Sequence, residues 1–126
     1  MKPALLDTDI LLDILQGGNS TVQENAQRYL TVHGRYTITA ITVAELARGT
    51  AQGQITAEWL DALLERVEVL ALDAIAAKIA GQIYQRLENQ GMRIGLADCL
   101  IAGIALSHER VLVTANQRHF LRVAAL

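Results

Sequence analysis

An alternation narrows the possible folds most. Four short apolar or β-branched runs are separated by longer stretches with helical spacing: "ALLD" from residue 4, "RYTITA" from 35, "VEVLAL" from 67 and "RVLVT" from 110. No Asn-Gly or Asp-Gly hairpin dipeptide joins any two of them. Strands linked through helices rather than tight turns pair in parallel, and the helices then cover both faces of the sheet. The chain therefore reads as α/β, a three-layer α/β/α sandwich around a central parallel sheet.

The helical stretches carry their own stop signals. "ILLDILQGG" is a short helix halted by Gly17 and Gly18. "STVQENAQRYLTVHG" opens on a capping box, Ser20 to Gln23, and stops at Gly34. "TVAELARGTAQG" and residues 56–66 give two more helices, and "DAIAAKIAGQIYQRLENQG" a long one with Asp73 at its start. "GLADCLIAGIALSHE" is apolar nearly all round, the mark of a buried helix. "ANQRHF" reads as a turn and "LRVAAL" as a short last strand. A length of 126 residues without linker or repeat predicts a single domain over residues 1–126. No apolar run reaches the roughly 18–20 residues of a membrane span, and the early acids do not suit a secretory signal. With Cys99 as the single cysteine, the expected setting is cytoplasmic.

In an open parallel sheet, ligands bind beyond the carboxyl ends of the strands. Asp7 ends the first strand, Glu45 lies in the first turn of the helix after the second, and Asn116 follows "VLVT". Asp98 is near the start of the buried helix that precedes "VLVT". Each has a plainer reading. Thr42 to Glu45 spells a capping box, Asp98 can serve a helix dipole, and Asn116 is an ordinary turn residue. Asp98, however, has Ile101, Ala102 and Ala105 on its helix face, and Asp7 directly follows a buried strand. Together the four oxygen donors suit a hard cation, Mg²⁺ or Mn²⁺, and the His and Cys spacing of a zinc site is missing. Such a cation serves phosphoryl chemistry.

"LLDTDILLDIL", "TITAITVAELARG", "RIGLADCLIAGIAL" and "VLVTANQRHFLRV" follow one another as in the PIN-domain family, and most resemble its VapC-type toxins. The resemblance covers essentially the whole chain. It implies a Mg²⁺- or Mn²⁺-dependent ribonuclease, with Asp7, Glu45 and Asp98 at the acidic metal positions. Asn116 falls where many members carry a fourth acid, and Asp9 where asparagine or serine is common. Asp9 is expected to cap the short helix and support the site from behind the ligands, as is the Thr114 hydroxyl. Asp13, a turn further on, is expected to face solvent or pair with a cation. Arg48, Arg93, Arg118 and His119 lie on segments leading to the same edge, where they are candidates to hold RNA phosphates. The resemblance also implies a cognate antitoxin protein and a toxin homodimer. Two other readings remain open. One is a catalytically weak PIN-like interaction module. The other is a haloacid-dehalogenase-type phosphotransferase built on Asp7 and Asp9, for which the sequence supplies no Asp-Asp pair and, beyond Lys2, only the mid-helix Lys78.

Overall fold

The computed structural model describes residues 1–114. "ANQRHF" and "LRVAAL", and with them Asn116, Arg118 and His119, lie outside the described residues. The order is β1 (Ala4–Leu6), α1 (Thr8–Leu15), α2 (Ser20–His33), β2 (Thr37–Thr39), α3 (Ala40–Ala51), α4 (Ala57–Leu64), β3 (Glu68–Leu70), α5 (Ala74–Asn89), α6 (Leu96–Ser107) and β4 (Val111–Val113). Among these, no helix is long and apolar enough to cross a membrane.

The strands are short and pair in parallel. β1 pairs with β4 in the register Ala4 to Val111, Leu5 to Leu112 and Leu6 to Val113. β2 pairs with β3, Thr37 to Glu68 through Thr39 to Leu70. β1 runs beside β2, but the described ladders form two hydrogen-bonded pairs rather than one continuous sheet. The period-2 alternation of β1 then separates two cores. Leu5 packs with Ala80, Ile83, Leu87, Ile101 and Ile104 of α5 and α6. Its neighbour Leu6 packs with Leu11, Ile38, Leu46 and Leu60, from α1, β2, α3 and α4. One strand thus feeds both layers, which is the geometry of a sandwich. Full burial of a leucine such as Leu5 contributes about 2 kcal/mol.

Several helix boundaries depart from the sequence reading. The cap of α2 is Asn19, whose side chain accepts from the Thr21 and Val22 N–H groups. The predicted Ser20–Gln23 box does not form; the Gln23 amide instead donates to the Ile14 carbonyl, tying α2 to the end of α1. Helix α3 begins at Ala40, with Thr39 accepting from the Thr42 N–H. Glu45 therefore sits in the second turn, and the apparent box with Thr42 is not the cap.

At the amino ends of the strands, Arg110 joins β2 to β3. It donates to Glu68 at 3.1 Å and to the Thr37 hydroxyl at 3.3 Å, while Thr37 donates to Glu68 at 2.7 Å. The Thr37 hydrogen bond, helped by the Arg110 and Arg35 charges, holds the Glu68 carboxyl below its ordinary range. Arg110 reaches this place because α6 ends in a Schellman motif: the Glu109 N–H donates to Leu106 O and the Arg110 N–H to Ala105 O. That motif puts its central residue in the left-handed region, and Glu109 has φ 53°. Helices α1, α3 and α5 end the same way with glycine at this point. Glu109→Gly is expected to stabilise the protein by about 0.5–1 kcal/mol, since the left-handed penalty exceeds glycine's entropic cost. Thermal unfolding checks it, and a lower melting temperature would show that Glu109 earns its place by a contact.

Candidate active site

The site is built at the carboxyl ends of β1 and β4. The Asp7 N–H donates to Val113 O at 3.0 Å, which fixes the residue at the end of the ladder. Asp7 is also the N-cap of α1, its Oδ1 accepting from the Thr8 N–H at 2.7 Å. Its Oδ2 accepts from the Thr114 hydroxyl at 2.8 Å. Each carboxylate oxygen keeps a further lone pair for another partner. The residue is only 6% exposed. Burial pushes its pKa up, the Thr114 and Thr8 hydrogen bonds oppose that, and the charges of Asp98 and Asp9 add to it.

Glu45 projects from α3 toward the same place. Its Oε1 accepts from the Thr8 hydroxyl at 2.9 Å. Its pKa is also raised, first by desolvation and then by the charges of Asp7, Asp98 and Asp9, against the lowering effect of Thr8. Asp98 is half-buried in the first turn of α6, above a face whose Ile101, Ala102 and Ala105 are buried. The cap of α6 is Gly95, which brings no side chain to the helix terminus. Asp9 does not cap α1; Asp7 holds that position, and Asp9 is exposed in the first turn, adding only charge. The reason is register: the helix starts at Thr8, two residues earlier than an Asp9 cap requires. Asp13 is half-buried, its carboxylate lying against Gly18.

The charges of Asp98 and Asp9 thus add to the raised proton affinity of Asp7 and Glu45, and among the described residues no cation pairs with Asp7 or Glu45. A gathering of carboxylate oxygen donors of this kind is chemically suited to a hard divalent cation. Among the described residues, no three acidic, histidine or cysteine side chains already stand close enough to share one ion. The donor chemistry fits such a cation, but for three of these side chains to share one they would have to draw closer than they stand.

Arg48 is exposed in the last turn of α3, one turn beyond Glu45. Arg93 is exposed in the α5–α6 connection, where it pairs with Glu88 at 3.5 Å. A cavity of about 620 Å³ lies apart from these residues, bordered by Leu15, Tyr36, Trp59, Leu63 and Arg66.

A model of the PIN domain family matches residues 4–126. The chain belongs to the PIN domain family. Its curated relatives include the "tRNA(fMet)-specific endonuclease VapC" of Shigella flexneri, 34% identical, with all of this chain and 96% of that one covered. "Ribonuclease VapC2" of Rickettsia felis is 29% identical over 97% of this chain and 92% of its own. Among solved structures, a DNA-bound VapBC complex from Salmonella typhimurium superposes with a TM-score of 0.81 at 33% identity, covering 100% of this chain and 96% of that one. VapBC-1 from nontypeable Haemophilus influenzae gives 0.82 at 32% identity, covering 98% and 93%. PIN-family membership removes the phosphotransferase reading, and Lys78 is accordingly a mid-helix residue of α5.

Two residues of this PIN domain site escaped the sequence reading. Thr8 contacts both Asp7 and Glu45, and the fully buried Thr42 contacts Thr8. The available signal was a threonine directly between two acids, and a second threonine three residues before a third.

Proposed function

We propose that this PIN domain is a divalent-metal-dependent ribonuclease of the VapC type, the toxin of a toxin–antitoxin pair. The observation that carries the mechanism is the buried Asp7 carboxylate at a strand end, raised in pKa by burial and by neighbouring acids, with no cation paired to it among the described residues. Asp7, Glu45 and Asp98 would hold Mg²⁺ or Mn²⁺, with Asn116 as a fourth oxygen donor. When bound, the cation supplies Lewis acidity, favouring deprotonation of water and offsetting charge on the scissile phosphodiester. The chain's own residues do the rest. Thr114 and the Thr8 N–H keep the Asp7 carboxylate aimed. Thr8 holds Glu45, and Asp98 brings a third carboxylate at the head of α6.

A net charge of -2 gives RNA no overall attraction, so local cations must hold its phosphates. Arg48 and Arg93 suit that role by position, and Arg118 and His119 by sequence. The relatives' names support RNA as substrate, and tRNA(fMet) is the first RNA to test. VapBC complexes among the structural neighbours support an antitoxin partner. A single domain over residues 1–126, a toxin homodimer and a cytoplasmic setting complete the reading.

Purified protein is expected to cut RNA with Mg²⁺ or Mn²⁺, and to stop with EDTA. Asp98→Ala should lower the rate at least ~100-fold, by weakening stabilisation of charge in the transition state. Cleavage that persists in Asp98→Ala with chelator overturns the assignment. The absence of three preassembled ligands among the described residues favours one second reading, a PIN-like module that binds a partner without cutting. Calorimetric titration with Mn²⁺ separates the two, since only the nuclease reading requires binding.

A further inference from the structure

Thr8 has two hands on the acidic cluster. Its N–H donates to Asp7 Oδ1 at 2.7 Å, and its hydroxyl lies 2.9 Å from Glu45 Oε1. The same hydroxyl lies 3.1 Å from Thr42 Oγ1, and Thr42 is 0% exposed. A buried hydroxyl must place its proton on an acceptor, and the partner the Thr42 hydroxyl has among the described residues is the Thr8 oxygen. Thr8 has one proton to give and two oxygens beside it. With Thr42 donating to Thr8, that proton goes to the carboxylate, the stronger acceptor. Both threonines are β-branched and sit in first helical turns, so their χ1 angles are restricted before any ligand arrives. The ordered chain Thr42 to Thr8 to Glu45 links α3 to α1 and back to α3, with Asp7 attached at its middle.

We propose that Thr8 is a positioning residue that sets Asp7 and Glu45 as one unit for a divalent cation, with the buried Thr42 hydroxyl fixing the direction in which Thr8 donates. This rests on the nuclease reading above. It goes beyond it by assigning to two neutral hydroxyls a part in metal affinity.

The test compares Thr8→Val, Thr8→Ser, Thr42→Val and the double valine variant with the unaltered protein. Mn²⁺ binding is measured by calorimetry on chelator-treated protein, and kcat and KM are measured separately on RNA. Thr8→Val should weaken Mn²⁺ binding by roughly 10- to 100-fold and lower kcat at fixed Mn²⁺, with KM for RNA within about twofold. Thr8→Ser, which keeps the hydroxyl, should return both to within about threefold. Thr42→Val should weaken Mn²⁺ binding by a smaller factor, and add nothing in the Thr8→Val background because the two act through one bond. Thr8→Val with unaltered Mn²⁺ affinity overturns the inference, and so does Thr8→Ser as impaired as Thr8→Val. Multiplying effects of the two valines would overturn the role given to Thr42. Unaltered protein that binds Mn²⁺ but cuts no RNA overturns the nuclease reading alone, while the Mn²⁺ comparison still decides the role of Thr8.

Discussion

Replacing Asp7 by asparagine is expected to raise the melting temperature of metal-free protein while lowering RNA cleavage at least ~100-fold. The two effects share one cause. Asp7 is buried, its ionised form is disfavoured by desolvation, and the nearby Asp98 and Asp9 disfavour it further. Asparagine keeps the shape and both hydrogen bonds: its carbonyl accepts from the Thr8 N–H, and its amide donates to the Thr114 oxygen. It removes the charge. An acid whose pKa rises on folding contributes stability while protonated and loses it as pH rises through the folded value. The advantage of Asp7→Asn should therefore be absent in strong acid, where aspartate is protonated folded or unfolded, and should grow as pH climbs above the ordinary aspartate range. Adding Mn²⁺ should reverse the order, because a ligand that binds the folded state stabilises only the protein able to hold it. Thermal scans with EDTA and with Mn²⁺ at several pH values read all of this. An asparagine variant less stable than the original in EDTA at neutral pH would mean that a cation already balances Asp7 within the fold.

The layers of this fold were legible because hydrophobic periodicity is local information. Leu5 and Leu6 announce a strand between two cores, and the all-round apolar "CLIAGIAL" announces a buried α6. Boundaries were less legible. Thr39 competes with Thr42, and Asn19 with Ser20, as caps of the same type, and only backbone geometry decides between them. The same competition misplaced Asp9, since Asp7 satisfies the α1 terminus from one residue before the helix. For the site, Asp7, Glu45 and Asp98 stood out because carboxylates beside apolar segments are costly and need a reason. The threonine chain gave no comparable warning. Its partners are 34 and 37 residues apart, and a threonine beside an acid has many ordinary uses. What a neutral hydroxyl does depends on the tertiary neighbour it meets, and sequence spacing does not contain that.

Gly103→Ala and Gly81→Ala are expected to move stability in opposite directions, although both glycines lie inside helices. Glycine in a helix interior ordinarily costs about 0.5–1 kcal/mol relative to alanine. Gly81 is on the exposed side of α5, where an added Cβ meets nothing within 4 Å, so alanine there should recover up to ~1 kcal/mol. Gly103 is where α6 approaches α5. An added Cβ would collide with the Ala76 carbonyl oxygen and lie 3.1 Å from both the Cβ and the N of Ala80. The colliding atom is backbone inside a helix, so no rotamer change relieves it. The helices must separate, opening the core that Ile83, Leu87, Ile101 and Ile104 share. Overpacking of this kind costs about 2–3 kcal/mol, roughly 10 °C in melting temperature. Asp98 is five residues before Gly103 on the same helix, so displacing α6 should also lower cleavage at temperatures where the variant is still folded. Ala80→Gly in the Gly103→Ala background removes one of the crowded atoms and leaves the Ala76 oxygen, so it should restore little. Full rescue by that second change would show that side-chain crowding, rather than the backbone of α5, sets how closely α6 packs.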